Sequence, residues 1–174
     1  AFVRNEELLG LGFDGIVSAC GCMIEYDRKV VFNRFVNRED AVRTVGSIRR
    51  NRLKPILEGP EHLYLDIDDF KGNLFVEKIM REISHRVLSI SGNTENWQFN
   101  KVSCDFRNAD SDRCFEELSD LYDFIVYDEH DEKVVEMVPK GFSKGTGILE
   151  VCKLLNADPK DTMAIGDSIN DRAM

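Results

Sequence analysis

Lys144 follows Pro139-Lys140-Gly141-Phe142-Ser143, and Gly166-Asp167-Ser168-Ile169-Asn170-Asp171 lies further along the chain. Asp167 and Asp171 stand at i and i+4 on a polar loop just past an apolar run, residues 162–165. Two acids so spaced can hold one hard cation such as Mg²⁺. Lys144 opens a helix on the adjacent segment and can bring a fixed positive charge to the same place. A carboxylate-held cation with a lysine beside it is what a transferring phosphoryl group needs for its equatorial oxygens. The bland alternative is a polar turn with a helix-capping Asp. The acid spacing alone leaves the two even; Lys144 and the intervening helix favour the phosphoryl site.

Other patterns carry less. Gly10-Leu11-Gly12-Phe13-Asp14-Gly15 fits G-x-G-x-x-G, but a dinucleotide site needs a strand before it and a helix after it. Here a helix precedes and a strand follows, so the glycines read as a turn. Asp66 to Glu77 imitates a calcium loop at positions 1, 3 and 12, yet Phe70 and Lys71 stand where an oxygen ligand and Gly are needed. Asp66-Ile67-Asp68 could be a nucleophile and general-acid pair, but it lacks the Gly-Thr that lets such a loop turn. Arg49 to Lys54 is a basic cluster that suits the wet face and last turn of a helix. Cys20-Gly21-Cys22 would face one side of a strand, but no second pair or His completes a metal site, so both read as buried small side chains.

These residues need elements to position them. Residues 1–11 read as a helix and 13–24 as a buried strand. A turn at Tyr26-Asp27-Arg28 precedes a second strand, 29–36. A helix is expected from Glu39 to about Lys54, with Val42, Val45 and Ile48 inward and Pro55 ending it. Strands are expected over 62–67 and 99–106, and helices over 74–86 and 111–120. Strands 124–127 and 134–138 flank the charged run Asp128 to Lys133, which reads as a solvated hairpin turn. A helix over 144–156 buries Ile148, Val151, Cys152 and Leu155, and a short buried strand covers 162–165. The pattern is an α/β core interrupted by an inserted α+β segment.

Composition bounds the partners. Lys and Arg number 23 against 32 Asp and Glu, a formal charge of −9. That field disfavours nucleic acid and anionic membrane surfaces. The longest uncharged stretch, residues 15–24, is too short to span a bilayer. Five cysteines, an odd number in a chain able to build its own core, read as reduced thiols of a cytoplasmic protein.

The stretch Val135 to Ile148, with Pro139-Lys140-Gly141-Phe142-Ser143-Lys144-Gly145 inside it, followed by Gly166 to Asp171, resembles the haloacid dehalogenase (HAD) superfamily. More narrowly it looks like the Cof-type phosphatases. The resemblance implies a partial Rossmann-like core, residues 1–35 and 139–174, with an inserted α+β cap over 36–138. It implies that Lys144 steadies a nucleophile and the bound phosphate. Asp167 and Asp171 would serve a Mg²⁺ site, with Asp171 alternatively the lysine's partner, and Asn170 would lie at the same place. In the family an Asp-x-Asp-Gly-Thr motif and a Ser or Thr motif would precede Ala1, and an Asn-Gly-Ala would stand where Cys20-Gly21-Cys22 stands. Asp66-x-Asp68 would fall within the cap.

The chain is therefore expected to be the middle of a longer magnesium-dependent phosphatase acting on a small phosphorylated metabolite such as a sugar phosphate. The aspartyl-phosphate nucleophile would lie outside it, and these 174 residues alone would be inactive. A phosphomutase of the same superfamily, or a non-catalytic cap-containing binding protein, are the alternatives.

Overall fold

The computed structural model describes residues 9–129 and 132–174. The first eight residues of the helix expected over 1–11 lie outside the described residues. So do His130 and Asp131 at the centre of the expected hairpin turn.

Asp27 and Arg28 both take positive φ, 48° and 59°, so the chain reverses tightly between β2 (Met23–Tyr26) and β3 (Lys29–Asn33). Paired left-handed residues are the hairpin turn whose twist matches that of its strands. β1 (Gly15–Ser18) pairs antiparallel with the other side of β2, giving a three-stranded sheet in the order β1-β2-β3. The single strand expected over 13–24 is thus two strands. Ala19, Cys20 and Gly21 all have positive φ, 48°, 53° and 88°, which no β-strand tolerates, and they form a one-turn kink.

Helix α1 (Arg38–Arg50) opens on Asn37, whose side chain accepts from the Asp40 N–H at 3.0 Å. Its inward residues are Ala41, Val45 and Ile48; Val42 is half exposed, contrary to expectation. The helix also stops earlier than expected. Asn51 caps it, Arg52 turns left-handed at φ 65°, and Pro55 sits within β4 (Lys54–Glu58) instead of ending the helix. β4 leads to β5 (Leu63–Tyr64), α2 (Leu74–Ile83) and β6 (Val87–Leu88). Then follow β7 (Lys101–Asp105), α3 (Ser111–Leu118), β8 (Tyr122–Glu129) and β9 (Glu132–Pro139).

These six strands form a second sheet in the order β6-β5-β4-β7-β9-β8, with only β5 and β6 parallel. Alternation assigns its two faces. Leu57, Val102, Cys104, Val135 and Met137 point to one side, where α1 and α3 bury them with Val45, Ile48, Cys114 and Leu118. On the other side α2 and Phe70 cover only the β4–β5 end, through Ile56, Leu63, Leu65, Val76 and Ile79. The remainder of that face carries Glu58, Lys101, Ser103 and Glu136, a polar set on central strands.

Helix α4 (Lys144–Leu155) packs on the three-stranded sheet. Its buried residues are Gly145, Gly147 and Cys152, while Ile148 and Val151 are half-buried and Leu155 is 47% exposed. Residues 162–165 are not the expected buried strand. Met163 and Ile165 are almost fully exposed, and no strand among the described residues runs beside them to take their backbone hydrogen bonds. The architecture is α/β. Among the described residues no helix is long and apolar enough to cross a membrane.

Candidate functional site

Ser143 fixes where α4 begins. Its hydroxyl accepts from the Thr146 N–H at 3.0 Å, and the Thr146 hydroxyl accepts from the Ser143 N–H at 2.8 Å. This reciprocal cap makes Lys144 the first helical residue. The two glycines that follow let other backbone come close. A Cβ on Gly147 would lie 2.9 Å from Gly21 Cα and 2.5 Å from Val17 Cγ1, and one on Gly145 would overlap the Ala173 carbonyl. The start of α4 is thereby wedged between the left-handed kink and the end of the chain.

The loop 166–171 folds back on itself around Asp171. Asp171 Oδ2 accepts from the N–H of Asp167 at 3.1 Å and of Ser168 at 3.0 Å. A Cβ on Gly166 would lie 2.7 Å from Asp171 Cγ, so only glycine fits there. Lys144 Nζ donates to Asp171 Oδ1 at 2.5 Å and to Asn170 Oδ1 at 2.8 Å. The Lys144 ammonium, helped by the two loop amides, holds the Asp171 carboxyl below the usual carboxylate range.

Lys144, Asn170 and Asp171 are thus in direct contact. Asp167 joins them through its backbone N–H, and its own side chain is exposed. Among the described residues no three His, Cys, Asp or Glu side chains are grouped as a ready metal cage. Mg²⁺ does not require one, since it is held by one or two carboxylates together with waters and substrate phosphates. The exposed Asp167 carboxylate fits that role; both oxygens of Asp171 already accept hydrogen bonds within the loop.

The contact set extends to residues outside the motifs. Asn170 Nδ2 donates to Glu136 Oε2 at 3.4 Å, and Cys20 Sγ lies 3.6 Å from the same oxygen. Glu136 Oε1 pairs with Lys101 Nζ at 2.8 Å, and Lys101 reaches Glu58 at 3.2 Å. Burial alone would lower the Lys101 ammonium, but the two carboxylates outweigh it and its pKa is raised. For Glu136 burial works upward and Lys101 works downward, and Lys101 wins. A trace was legible: Glu136 interrupts the apolar run Val134-Val135-Glu136-Met137-Val138, and a charge on a central strand calls for a partner.

A cavity of about 650 Å³ opens over this polar face, with Phe70, Leu74 and Phe75 along one wall. None of the four motif residues lines it; Glu136 connects the cavity to Asn170. Cys20 and Cys22 do not lie on a strand. Both are buried, and burial pushes their thiols up to about 11 and about 12.

Asp66 and Asp68 stand elsewhere, in an open groove that includes Arg49. Asp66 accepts from Ser89 Oγ at 2.7 Å, from Ser91 Oγ at 2.9 Å and from Arg49. Asp68 pairs with Lys71 at the surface. From the basic cluster, Arg49 meets Asp66 and Arg50 meets Glu117, which are structural pairings.

The described geometry has recognisable counterparts. A hypothetical protein of Geobacillus kaustophilus HTA426 superposes with a TM-score of 0.72 at 22% identity, over 98% of this chain and 63% of that one. The sugar phosphatase BT4131, of HAD subclass IIB, gives 0.69 at 16% identity, over 98% and 62%. A 40-residue stretch is 52% identical to M6_Spy0533 of Streptococcus pyogenes serotype M6, covering 23% of this chain and 15% of that protein. The chain thus spans less than two-thirds of the length of each. The family described as haloacid dehalogenase-like hydrolase matches residues 4–174, and the chain belongs to it.

Proposed function

We propose that this chain is the cap and part of the core of a phosphatase that uses Mg²⁺ to hydrolyse a small phosphorylated metabolite such as a sugar phosphate. One observation carries the reading: Lys144 Nζ is held by Asn170 Oδ1 and Asp171 Oδ1, on a loop whose amides also converge on Asp171. A lysine held in that way offers preorganised positive charge where phosphoryl oxygens gain negative charge. Asn170 would bind the same phosphate. Asp167, with Asp171 behind it, would hold Mg²⁺, which when bound neutralises phosphate charge and orients the ester. A lysine ammonium is a poor attacker, so the aspartyl-phosphate nucleophile and its general acid would come from outside these residues.

Residues 36–138 form the cap in this reading, with 1–35 and 139–174 as core. It is supported by the way the six-stranded sheet and its three helices lie between Arg38 and Pro139, while Lys144 and the 166–171 loop follow. The cap would close over the site and exclude water. The similarity to a sugar phosphatase supports the substrate class. Five free, buried cysteines support a reducing, cytoplasmic setting.

The test is turnover of p-nitrophenyl phosphate. A longer form of the protein carrying an upstream Asp-x-Asp-Gly-Thr segment should hydrolyse it with Mg²⁺ and stop with EDTA, whereas the 174-residue chain should not. In the longer form Lys144→Ala should lower turnover by about a hundredfold or more, the scale of one lost preorganised donor. Turnover by the longer form that ignores both Mg²⁺ and Lys144 would refute the assignment.

A further inference from the structure

Glu58 and Lys101 are cross-strand partners, and so are Ser103 and Glu136, so the four share one face of the six-stranded sheet. Lys101 is 7% exposed, and its ammonium is held between Glu58 and Glu136. Ser103 also donates to Glu58. Of the other charged side chains that line the cavity, Asp105 pairs with Arg107, and Lys133 is neutralised by Asp128 just outside the lining. The Cys20 thiol, raised to about 11, stays neutral. One ammonium therefore faces two carboxylates, and one negative charge is left over on the cavity floor.

We propose that Glu58, Lys101 and Glu136 determine specificity for the leaving group, accepting a neutral polyol and turning away one that carries a second anionic group. The proposal rests on the phosphatase reading above. Two carboxylates are strong acceptors for hydroxyl donors, and the ammonium between them is a donor for a hydroxyl oxygen. Adjacent hydroxyls of a polyol offer both roles at that spacing. Leu74 and Phe75, exposed apolar residues of the same lining, suit the C–H face of the same molecule. A second phosphate or a carboxylate would meet like charge in a half-buried place, because the single positive charge of Lys101 is outweighed by its two carboxylate partners, although its third N–H remains a donor. Glu136 is the hinge of the arrangement. Its second oxygen receives Asn170, so a leaving group seated on this face lies next to the residues proposed to hold the phosphate.

The deciding pair of substrates is sorbitol 6-phosphate and 6-phosphogluconate, which differ only in a hydroxymethyl against a carboxylate at the far end. In the longer form, kcat/KM should favour sorbitol 6-phosphate by at least about tenfold. Glu58→Gln keeps the shape and removes the surplus charge, and it should shrink that ratio about fivefold or more. Equal use of the two substrates, or preference for the acid, overturns the proposal. p-Nitrophenyl phosphate separates the two layers: if it is hydrolysed and the ratio is near one, the phosphatase reading stands and the specificity assignment falls. If nothing is hydrolysed, NMR titration of the 174-residue chain with the same two compounds decides. Tighter binding of the polyol, with shifts at Lys101 and Glu136, supports the proposal, and equal binding or shifts elsewhere refute it. If Glu58→Gln does not fold, Glu136→Gln and the unsubstituted ratio carry the same two outcomes.

Discussion

Gly21→Ala should be among the most damaging single-methyl additions in the chain. At φ +88° an alanine pays for the left-handed backbone, about 1–2 kcal/mol. The added Cβ would also overlap the Ser143 carbonyl oxygen and lie 3.1 Å from the Gly147 nitrogen. Both neighbours are backbone at the first turn of α4, so neither can rotate away. Overpacking of that kind costs about 1–3 kcal/mol. The two together give about 2–5 kcal/mol, or a fall in Tm of about 4–20 °C for a chain of this size. Gly141→Ala is the control. It has φ +83° with nothing within 4 Å of the added Cβ, so it reports the backbone cost alone. Urea or thermal unfolding of both variants isolates the contact as their difference, expected at 1 kcal/mol or more by the same overpacking scale. If the two variants unfold within about 0.5 kcal/mol of each other, α4 does not sit against the kink, and the kink does not position Lys144.

Lys101→Met should cost about 3–5 kcal/mol in urea unfolding, because it strands Glu58 and Glu136 without their cation. A loss under 1 kcal/mol would mean those carboxylates are not charged together. Asp105, Glu136 and Asp171 all have carboxyls held below the ordinary range, so the stability they contribute is present above about pH 4 and is lost as acid drives them through their folded values. Thermal unfolding should therefore give a Tm that is level from about pH 7 to 5 and falls below about 4; a Tm that rises on acidification contradicts the pairings. Cys20 and Cys22 should alkylate with iodoacetamide at pH 8 far more slowly than free cysteine, since burial raises both thiols. Rapid labelling of either in the folded chain, read by mass spectrometry, would show that the kink is open to solvent.

What the sequence revealed and what it hid divide along a physical line. Helices α2, α3 and α4 and strands β7, β8 and β9 follow from local periodicity and capping residues, and Ser143 even marks the first residue of α4. The misreadings arose where a backbone state or a distant partner overrode the local pattern. Residues 13–24 look like one strand until three consecutive left-handed residues break it, and only Gly21 among them advertises that conformation. Pro55 was expected as a helix stop and lies in β4, opposite Cys104, because the left-handed Arg52 had already ended the helix. The apolar run 162–165 looks buried, but burial needs a partner strand, and the pattern does not say whether one is present.

The proposed site follows the same division. Lys144 and the 166–171 loop could be read from spacing, since a lysine at a helix start and a folded loop are both local constructions. Glu58, Lys101 and Glu136 could not, because they come from β4, β7 and β9 and meet only through sheet register. A shift of one residue in any of these strands would send its charge into the apolar face beneath α1 and α3. That face is filled by Leu57, Val102, Val135 and Met137, all essentially buried. The apolar alternation that builds this sheet is therefore also what aims its charged residues at the cavity. A substitution that leaves every charge as it is but spoils the apolar face, such as Val102→Asn, should scatter the cluster and unfold the sheet together. Glu58→Gln, by contrast, leaves the register untouched and should alter selectivity with the fold intact.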